Sequence, residues 1–432
     1  MSHNGTTEVV RPARTVRGSV RLPGDKSISH RYAMLAGLAK GTSRFANFST
    51  GADPHSSLSC MEALGATVVK RPDGVIEVTG VGGIFQQPTR DLDCGNSGST
   101  MRMLAGLVAG HTGTYRFVGD ASLTKRPMQR IKGPLEQMGA KVELTEGHAP
   151  MTVHGGMLKA IEFTAPIASA QVKTAVLFAG LGAEGTTTLQ EAVRTRDHSE
   201  HALRAFGAEL ERGKDSISIR GGQQLQAIEA TVPGDLSSAA FFLCATILFP
   251  DAQLVLDDVG MNPSRSALLD VLASMGLQVK VLNLEEKHGE MIGTIQVNGA
   301  PELKGAEIVG DLPALIIDEL PVLAAIGPYT STGVTIRNAK ELRVKESDRI
   351  ALVVQNLRAM GAEVEEFEDG LHVPGNQKLR GGIVDSADDH RIAMAFAIAA
   401  LRAEGETTIH GAEAAAISFP EFFPLLNQIS ER

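Results

Sequence analysis

Apolar residues along this chain recur in two patterns. The first is an Ala-rich apolar run that ends at a small residue and leads into a β-branched strand. It occurs six times, as YAMLAGLAKGTSRFANF, RMLAGLVAGHTGTYRFVG, AVLFAGLGAEGTTTLQEA, FFLCATILFPDAQLVLDDV, VLAAIGPYTSTGVTIRNA and AMAFAIAALRAEGETTIHGA. Gly41, Gly113 and Gly185 mark the turns of the first three copies, each 72 residues after the last; Gly333 and Gly405 repeat that interval, and Asp251 holds the looser fourth position. The second pattern lies between these runs: MEALGATVV, LEQMGAKVEL, LRAFGAELE, LASMGLQVKV and LRAMGAEVEEF. Each reads as the last turn of an amphipathic helix, stopped by a glycine suited to the left-handed cap and followed by an alternating strand.

Strands and helices therefore alternate, about two of each per ~70 residues, which predicts an α/β fold. The repeat is too long for a solenoid of 20 to 50 residues. Six repeats divide most simply into two domains of three, with the chain crossing near Pro23 and near TVPGDLSS. The expected domains are 23–234 and a discontinuous 1–22 plus 235–432. The sixth repeat is cut short at ISFPEFFPLLNQIS, and the N-terminal RTVRGSVRLP is expected to supply its missing strand, tying both chain ends into one domain. A cleft between two such domains is a favoured place for a ligand.

Composition narrows the function classes. The 432 residues carry a formal net charge of -9, with 43% hydrophobic and 21% charged side chains. An acidic balance argues against general affinity for nucleic acid or anionic membrane, so any cationic site must be local. Cys60, Cys94 and Cys244 form no CxxC pair and read as small buried side chains in a reducing compartment. The polar start MSHNGTTEVVRPAR lacks the apolar core of a signal peptide, and no run approaches the ~18 apolar residues of a membrane span. The expectation is a cytoplasmic protein.

Local cations do gather at helix starts. In PGDKSISHRYAMLAG, Asp25 or Ser27 can cap a helix whose first turns carry Lys26, Ser27, Ser29 and Arg31, so backbone N–H groups, hydroxyls and two cations can converge on an anion. This is no Walker loop, because Asp25 stands where glycine must precede the lysine. CGNSGSTMRML sets Gly95 and Gly98 around Asn96, Ser97, Ser99 and Thr100 at the same place in the second repeat, and ASAQVKTAV offers Ser169, Gln171 and Lys173 in the third. The equivalent places in the other half read PGDLSSAAFF, IDELPVLAA and DSADDHRIAMA. Capping is a sufficient reading for Asp318 and Glu319 there. ELRVKESDR packs Arg343, Lys345, Glu346, Asp348 and Arg349 after a strand, as a loop at a cleft edge would. The sum is a site for at least two anionic groups with carboxylates for proton transfer. His198 and His201 have helical spacing but no third ligand nearby, so no metal is expected.

Ten motifs in order resemble the 5-enolpyruvylshikimate-3-phosphate synthase family: LPGDKSISHR, CGNSGSTMRML, TKRPMQRIKGPLEQMGA, SAQVKTAVLFAGL, TRDHSE, PGDLSSAAFFL, IDELPVLA, ELRVKESDRI, DHRIAMA and SFPEFF, from about Val16 to Phe423. The resemblance implies a two-domain inside-out α/β barrel, each domain of three βαβαββ units. It also implies transfer of the enolpyruvyl group of phosphoenolpyruvate to the 5-hydroxyl of shikimate-3-phosphate with release of phosphate, by addition and elimination through a tetrahedral intermediate. The 23–234 domain would bind shikimate-3-phosphate, and the other would carry the proton-transfer carboxylates.

Carried over by position, the resemblance implies that Lys26 touches both ligands and that Ser27, Arg31, Ser169, Gln171, Arg196, Asp318 and Lys345 hold shikimate-3-phosphate. Arg126, Arg349 and Arg391 would clamp phosphoenolpyruvate, with Asn96, Gly98, Gln171 and Lys26 lining that pocket; bidentate arginine suits a small molecule carrying a carboxylate and a phosphate. Asp318 would take the proton of the attacking hydroxyl. Glu346, assisted by Lys26, would protonate the methylene carbon and later remove a proton, and His390 would orient its neighbours. No cofactor is implied, and a monomer is expected. Two positions depart from better-known members: Ile417 and Ser418 stand where those carry a lysine before FP, and Ala170 replaces a serine of some members. Gly98 leaves room for glyphosate, the family's inhibitor at the phosphoenolpyruvate site, so some sensitivity is expected. Of the rivals, a UDP-N-acetylglucosamine enolpyruvyl transferase would carry a cysteine in the loop reading GDASLTKRPM, a binding protein would not need Asp318 and Glu346 together, and a scaffold built from the repeats would show no ligand-driven closure.

Overall fold

In the structure, a computed structural model describing residues 6–432, the six Ala-rich runs lie in the helices Lys26–Leu38, Gly98–Ala109, Ala170–Leu181, Leu236–Ile247, Leu320–Ile326 and His390–Ala400. A helix that is apolar all round gains stability only if every side is covered. Accordingly, Leu236–Ile247 and His390–Ala400 are buried along their whole lengths. Small residues have a further role where backbones approach: a Cβ on Gly106 would lie 2.1 Å from the carbonyl oxygen of Ala175, so only glycine fits. The helix-stop pattern also holds, with Gly139 closing Gln129–Met138 at φ +111°.

The chain divides into two compact units. One comprises Gly24–Val232 with Glu286–Glu290; the other runs from the chain start to Pro23 and through Pro233–Glu285 and Met291–Arg432. In the first unit three four-stranded sheets share one pairing scheme. In each, the strand after an Ala-rich helix pairs in parallel with a short strand on one side and antiparallel with a hairpin on the other. Thus Gly113–Val118 lies between Leu92–Asp93 and His148–Gly155. Tyr115 faces Val153 and Phe117 faces Met151 across that ladder, and all four are fully buried, as strand period two requires. Thr42–Ala46 takes its parallel partner, Glu229–Thr231, from the far end of the unit, which closes the unit on itself.

The second unit repeats the scheme around Val334–Ile336, Gln253–Gly260 and Thr407–His410. Here the structure corrects one expectation. The strand completing the sixth repeat is Thr7–Val10, antiparallel to Thr407–His410. RTVRGSVRLP instead forms Thr15–Arg21, parallel to Gln253–Gly260 and antiparallel to Ser430–Glu431. Burial explains the choice: Val16 and Val20 are both fully buried and need a strand with core beneath it, whereas Thr7–Val10 buries only Val10 and suits a sheet edge. Both chain ends still belong to one unit.

Candidate functional site

Side-chain caps fix where five of the six apolar helices begin. Asp25, not Ser27, caps the first, accepting from the Ile28 N–H at 2.9 Å; Ser97, Ser169, Asp235 and Asp389 cap the second, third, fourth and sixth. The exception is Leu320–Ile326, preceded by Glu319 with no side-chain cap bond. Glu319 is thus not the cap its position suggests, and both it and Asp318 face cationic side chains.

In the Gly24–Val232 unit, Lys26 Nζ lies 3.1 Å from Asp53 Oδ2. Arg31, one turn on and 3% exposed, donates to the Ser27 carbonyl at 2.7 Å, to Ser199 Oγ at 2.7 Å and to Thr174 Oγ1 at 2.9 Å. Burial pulls its pKa down to about 10, against the pull of Glu200, and leaves it charged at neutral pH. Asn96 accepts from Arg126 at 2.7 Å and donates to Asp120 at 2.8 Å. Gln171 accepts from Arg102 at 2.7 Å and donates to Ser99 Oγ at 2.9 Å. A Cβ on Gly98 would lie 2.7 Å from Arg102 Nη1 and 3.6 Å from Arg126 Nη1. Asn96, Gly98, Arg126 and Gln171 are therefore gathered round Arg102, which the sequence reading did not single out; its only signal was a cation one helical turn after Gly98. Ser169 is occupied as a cap, and Arg196 stands in the loop between Thr186–Gln190 and His198–Ala205.

In the other unit Arg349, 1% exposed, organises the carboxylates. Its Nε lies 2.8 Å from Asp389 Oδ2, Nη2 lies 2.6 Å from Glu346 Oε2, and Nη1 lies 3.7 Å from Asp318 Oδ1. Lys345 Nζ reaches the same Asp318 oxygen at 3.4 Å. Burial works against the Arg349 charge, but Asp389 and Glu346 outweigh it and raise its pKa. Asp318, Glu346, Lys345 and Arg349 are thus brought together. Arg391 donates to the Ser237 carbonyl at 3.3 Å with its guanidinium 5.8 Å from the Phe241 ring centre, and His390 is buried beside it. Glu319, 2% exposed, accepts from Ser237 and lies 3.5 Å from Arg265.

The run ELRVKESDR splits by role. Arg343 pairs with Asp348 and Glu366, while Asp348 caps Arg349–Ala359. Asp389, which the sequence did not single out, caps His390–Ala400, binds Arg349 and accepts from Ser347 at 2.8 Å. Ile417 ends the turn Ala412–Ile417, and Ser418 caps it. His198 Nδ1 lies 2.7 Å from Glu290 Oε1, and His201 Nε2 lies 3.4 Å from Asp197 Oδ1. All three cysteines are buried and free.

The fold is α/β, with one cluster of cations and amides in the Gly24–Val232 unit and one set of carboxylates on Arg349 in the other unit. A family profile described as EPSP synthase (3-phosphoshikimate 1-carboxyvinyltransferase) matches residues 10–426. A 3-phosphoshikimate 1-carboxyvinyltransferase of Koribacter versatilis is 62% identical over 98% of this chain and 99% of its own, and that of Solibacter usitatus is 53% identical over the same shares. Among solved structures, the EPSP synthase of Acinetobacter baumannii superposes with a TM-score of 0.86 at 39% identity, covering 98% of both chains. The enolpyruvyl transferase NikO of Streptomyces tendae, at 19% identity and a TM-score of 0.80, shares the fold. The chain belongs to the EPSP synthase family. Among the described residues no helix is long and apolar enough to cross a membrane.

Proposed function

We propose that this chain is a transferase of the shikimate pathway, moving the enolpyruvyl group of phosphoenolpyruvate to the 5-hydroxyl of shikimate-3-phosphate and releasing phosphate. The observation that carries the residue roles is the sharing of one buried guanidinium, Arg349, by Asp318 and Glu346. Two carboxylates held by one fixed cation can keep separate tasks in a proton-transfer sequence.

Asp318 accepts the 5-hydroxyl proton as its oxygen attacks C2 of phosphoenolpyruvate. Glu346, with Lys26, protonates the methylene carbon, which completes the tetrahedral adduct. Elimination reverses the proton step: a methyl proton returns to the carboxylate, the double bond reforms, and the C–O bond to phosphate breaks. Ser27, Arg31, Ser169, Gln171, Arg196 and Lys345 hold shikimate-3-phosphate. Arg126, Arg349 and Arg391 clamp phosphoenolpyruvate beside Asn96 and Gly98, and His390 orients its neighbours. On this reading residues of both units act on one pair of substrates, and the six repeats are βαβαββ units of inside-out barrels. The protein works as a cytoplasmic monomer, and glyphosate competes with phosphoenolpyruvate.

Phosphate release tests the proposal. Release is expected only with both substrates present, and Glu346→Gln should slow it by about a hundredfold or more. Release from either substrate alone, or at an undiminished rate in the variant, would overturn it.

A further inference from the structure

Lys173 is 1% exposed, sits one turn after Ser169 on the helix Ala170–Leu181, and takes no part in the chemistry above. Its ammonium donates to Glu200 Oε1 at 2.9 Å, to Glu191 Oε2 at 3.2 Å and to the backbone carbonyl of Thr195 at 3.2 Å. Glu191 and Glu200 are themselves 7% and 0% exposed. Such a buried ion cluster is a poor device for stability alone, because desolvation of three charges offsets most of their attraction. It is a good device for fixing geometry, since each polar atom has few acceptable positions.

What it fixes is the segment 191–197. Glu191 Oε1 accepts from both the N–H and the hydroxyl of Thr195. Arg194 donates to the Lys214 carbonyl at 2.6 Å, and Asp197 faces His201 at 3.4 Å and Arg212 at 3.7 Å. Both chain neighbours of Arg196 are thus held, one of them by Lys173 through its carbonyl. Burial is the main cause of the lowered Arg31 pKa, and the nearby Arg196 charge adds to it, a repulsion that a bound anion would relieve.

Resting on the reading that Arg196 grips the 3-phosphate of shikimate-3-phosphate, we propose that Lys173 is a positioning residue that sets Arg196, relative to Ser169 and Gln171 on its own helix, for that phosphate. Lys173 touches no substrate; it acts through the Thr195 backbone.

Steady-state kinetics on Arg196→Ala, Lys173→Gln and the double variant test this, with thermal unfolding as a check on folding. Arg196→Ala should raise KM for shikimate-3-phosphate. Lys173→Gln should raise the same KM by about tenfold or more, with kcat and the KM for phosphoenolpyruvate much less affected, and the double variant should be no worse than Arg196→Ala alone. If Lys173→Gln does not fold, Glu191→Gln, which loosens the same cluster, takes its place in the comparison. Multiplying effects in the double variant, or equal losses for both substrates, would overturn the positioning role while leaving the site reading intact. An unchanged KM in Arg196→Ala would overturn the reading on which the inference rests.

Discussion

Arg349 makes three carboxylates depend on one side chain. A lysine at that position keeps the charge but lacks the planar fork that reaches Asp389, Glu346 and Asp318 at once. Arg349→Lys should therefore lower kcat/KM by a hundredfold or more, on the order expected when reacting groups lose their alignment. It should also destabilise the fold by about 3 kcal/mol, because Asp389 loses its fork partner where no water reaches. Activity and urea unfolding on one preparation check both. Gly98 is the opposite case, a residue that matters for what it leaves empty. A methyl group there would press on the guanidinium end of Arg102, which can yield but only by shifting, and would touch Arg126 at ordinary contact distance. Gly98→Ala should fold normally, raise KM for phosphoenolpyruvate by about tenfold and weaken glyphosate inhibition further.

Among the elements, the helix starts decide what sequence could and could not reveal. Apolar runs and glycine stops made the helices legible because period and cap chemistry are local. The starts of the helices Lys26–Leu38, Gly98–Ala109 and Ala170–Leu181 were legible for the same reason. Asp389 and Arg102 were not, because their importance comes from partners 40 and 69 residues away in the chain. Asp318 and Glu319 read as caps from their place before a helix, and only the structure shows that Glu319 makes no cap bond. The first helix also carries a consequence for pH. His30 is fully buried, with Nδ1 2.7 Å from Ser57 Oγ, and burial, then Lys26 and Arg31, push its pKa well below 6.5. The unfolded chain therefore binds a proton below pH 6.5 that the folded chain refuses. The His30 contribution to stability is complete above that pH and declines as pH falls, by at most about 1.4 kcal/mol per pH unit. Replacing it in His30→Gln should flatten the stability profile between pH 6.5 and about pH 5 relative to the parent, as read from urea midpoints.

For the whole molecule, the departure from the expected topology carries the most weight. The repeat pattern placed a missing strand at the N-terminus and chose the wrong segment of it, because periodicity states that a sheet needs an edge but not which neighbouring run has the burial to serve. Thr7–Val10 serves the sixth repeat, while Thr15–Arg21 joins the sheet of Gln253–Gly260 and Ser430–Glu431. The chain start therefore stabilises residues almost four hundred positions away, through the four pairings from Thr7 with His410 to Val10 with Thr407, the burial of Val10, and the Thr6 hydroxyl on Glu413 at 2.7 Å. Apolar cores form separately from residues of each unit, one containing Val10 and Ile409 and the other spanning Ile28 to Val232. Deleting residues 1–10 should then cost about 1–3 kcal/mol in the unit that contains Thr407–His410. Hydrogen exchange should show faster amides in Thr407–His410 and in its parallel neighbour Ile383–Asp385, with the strands Thr42–Ala46 and Gly113–Val118 unchanged. Uniform acceleration across both units would mean that the chain unfolds as one body and that the edge strand guards the whole of it.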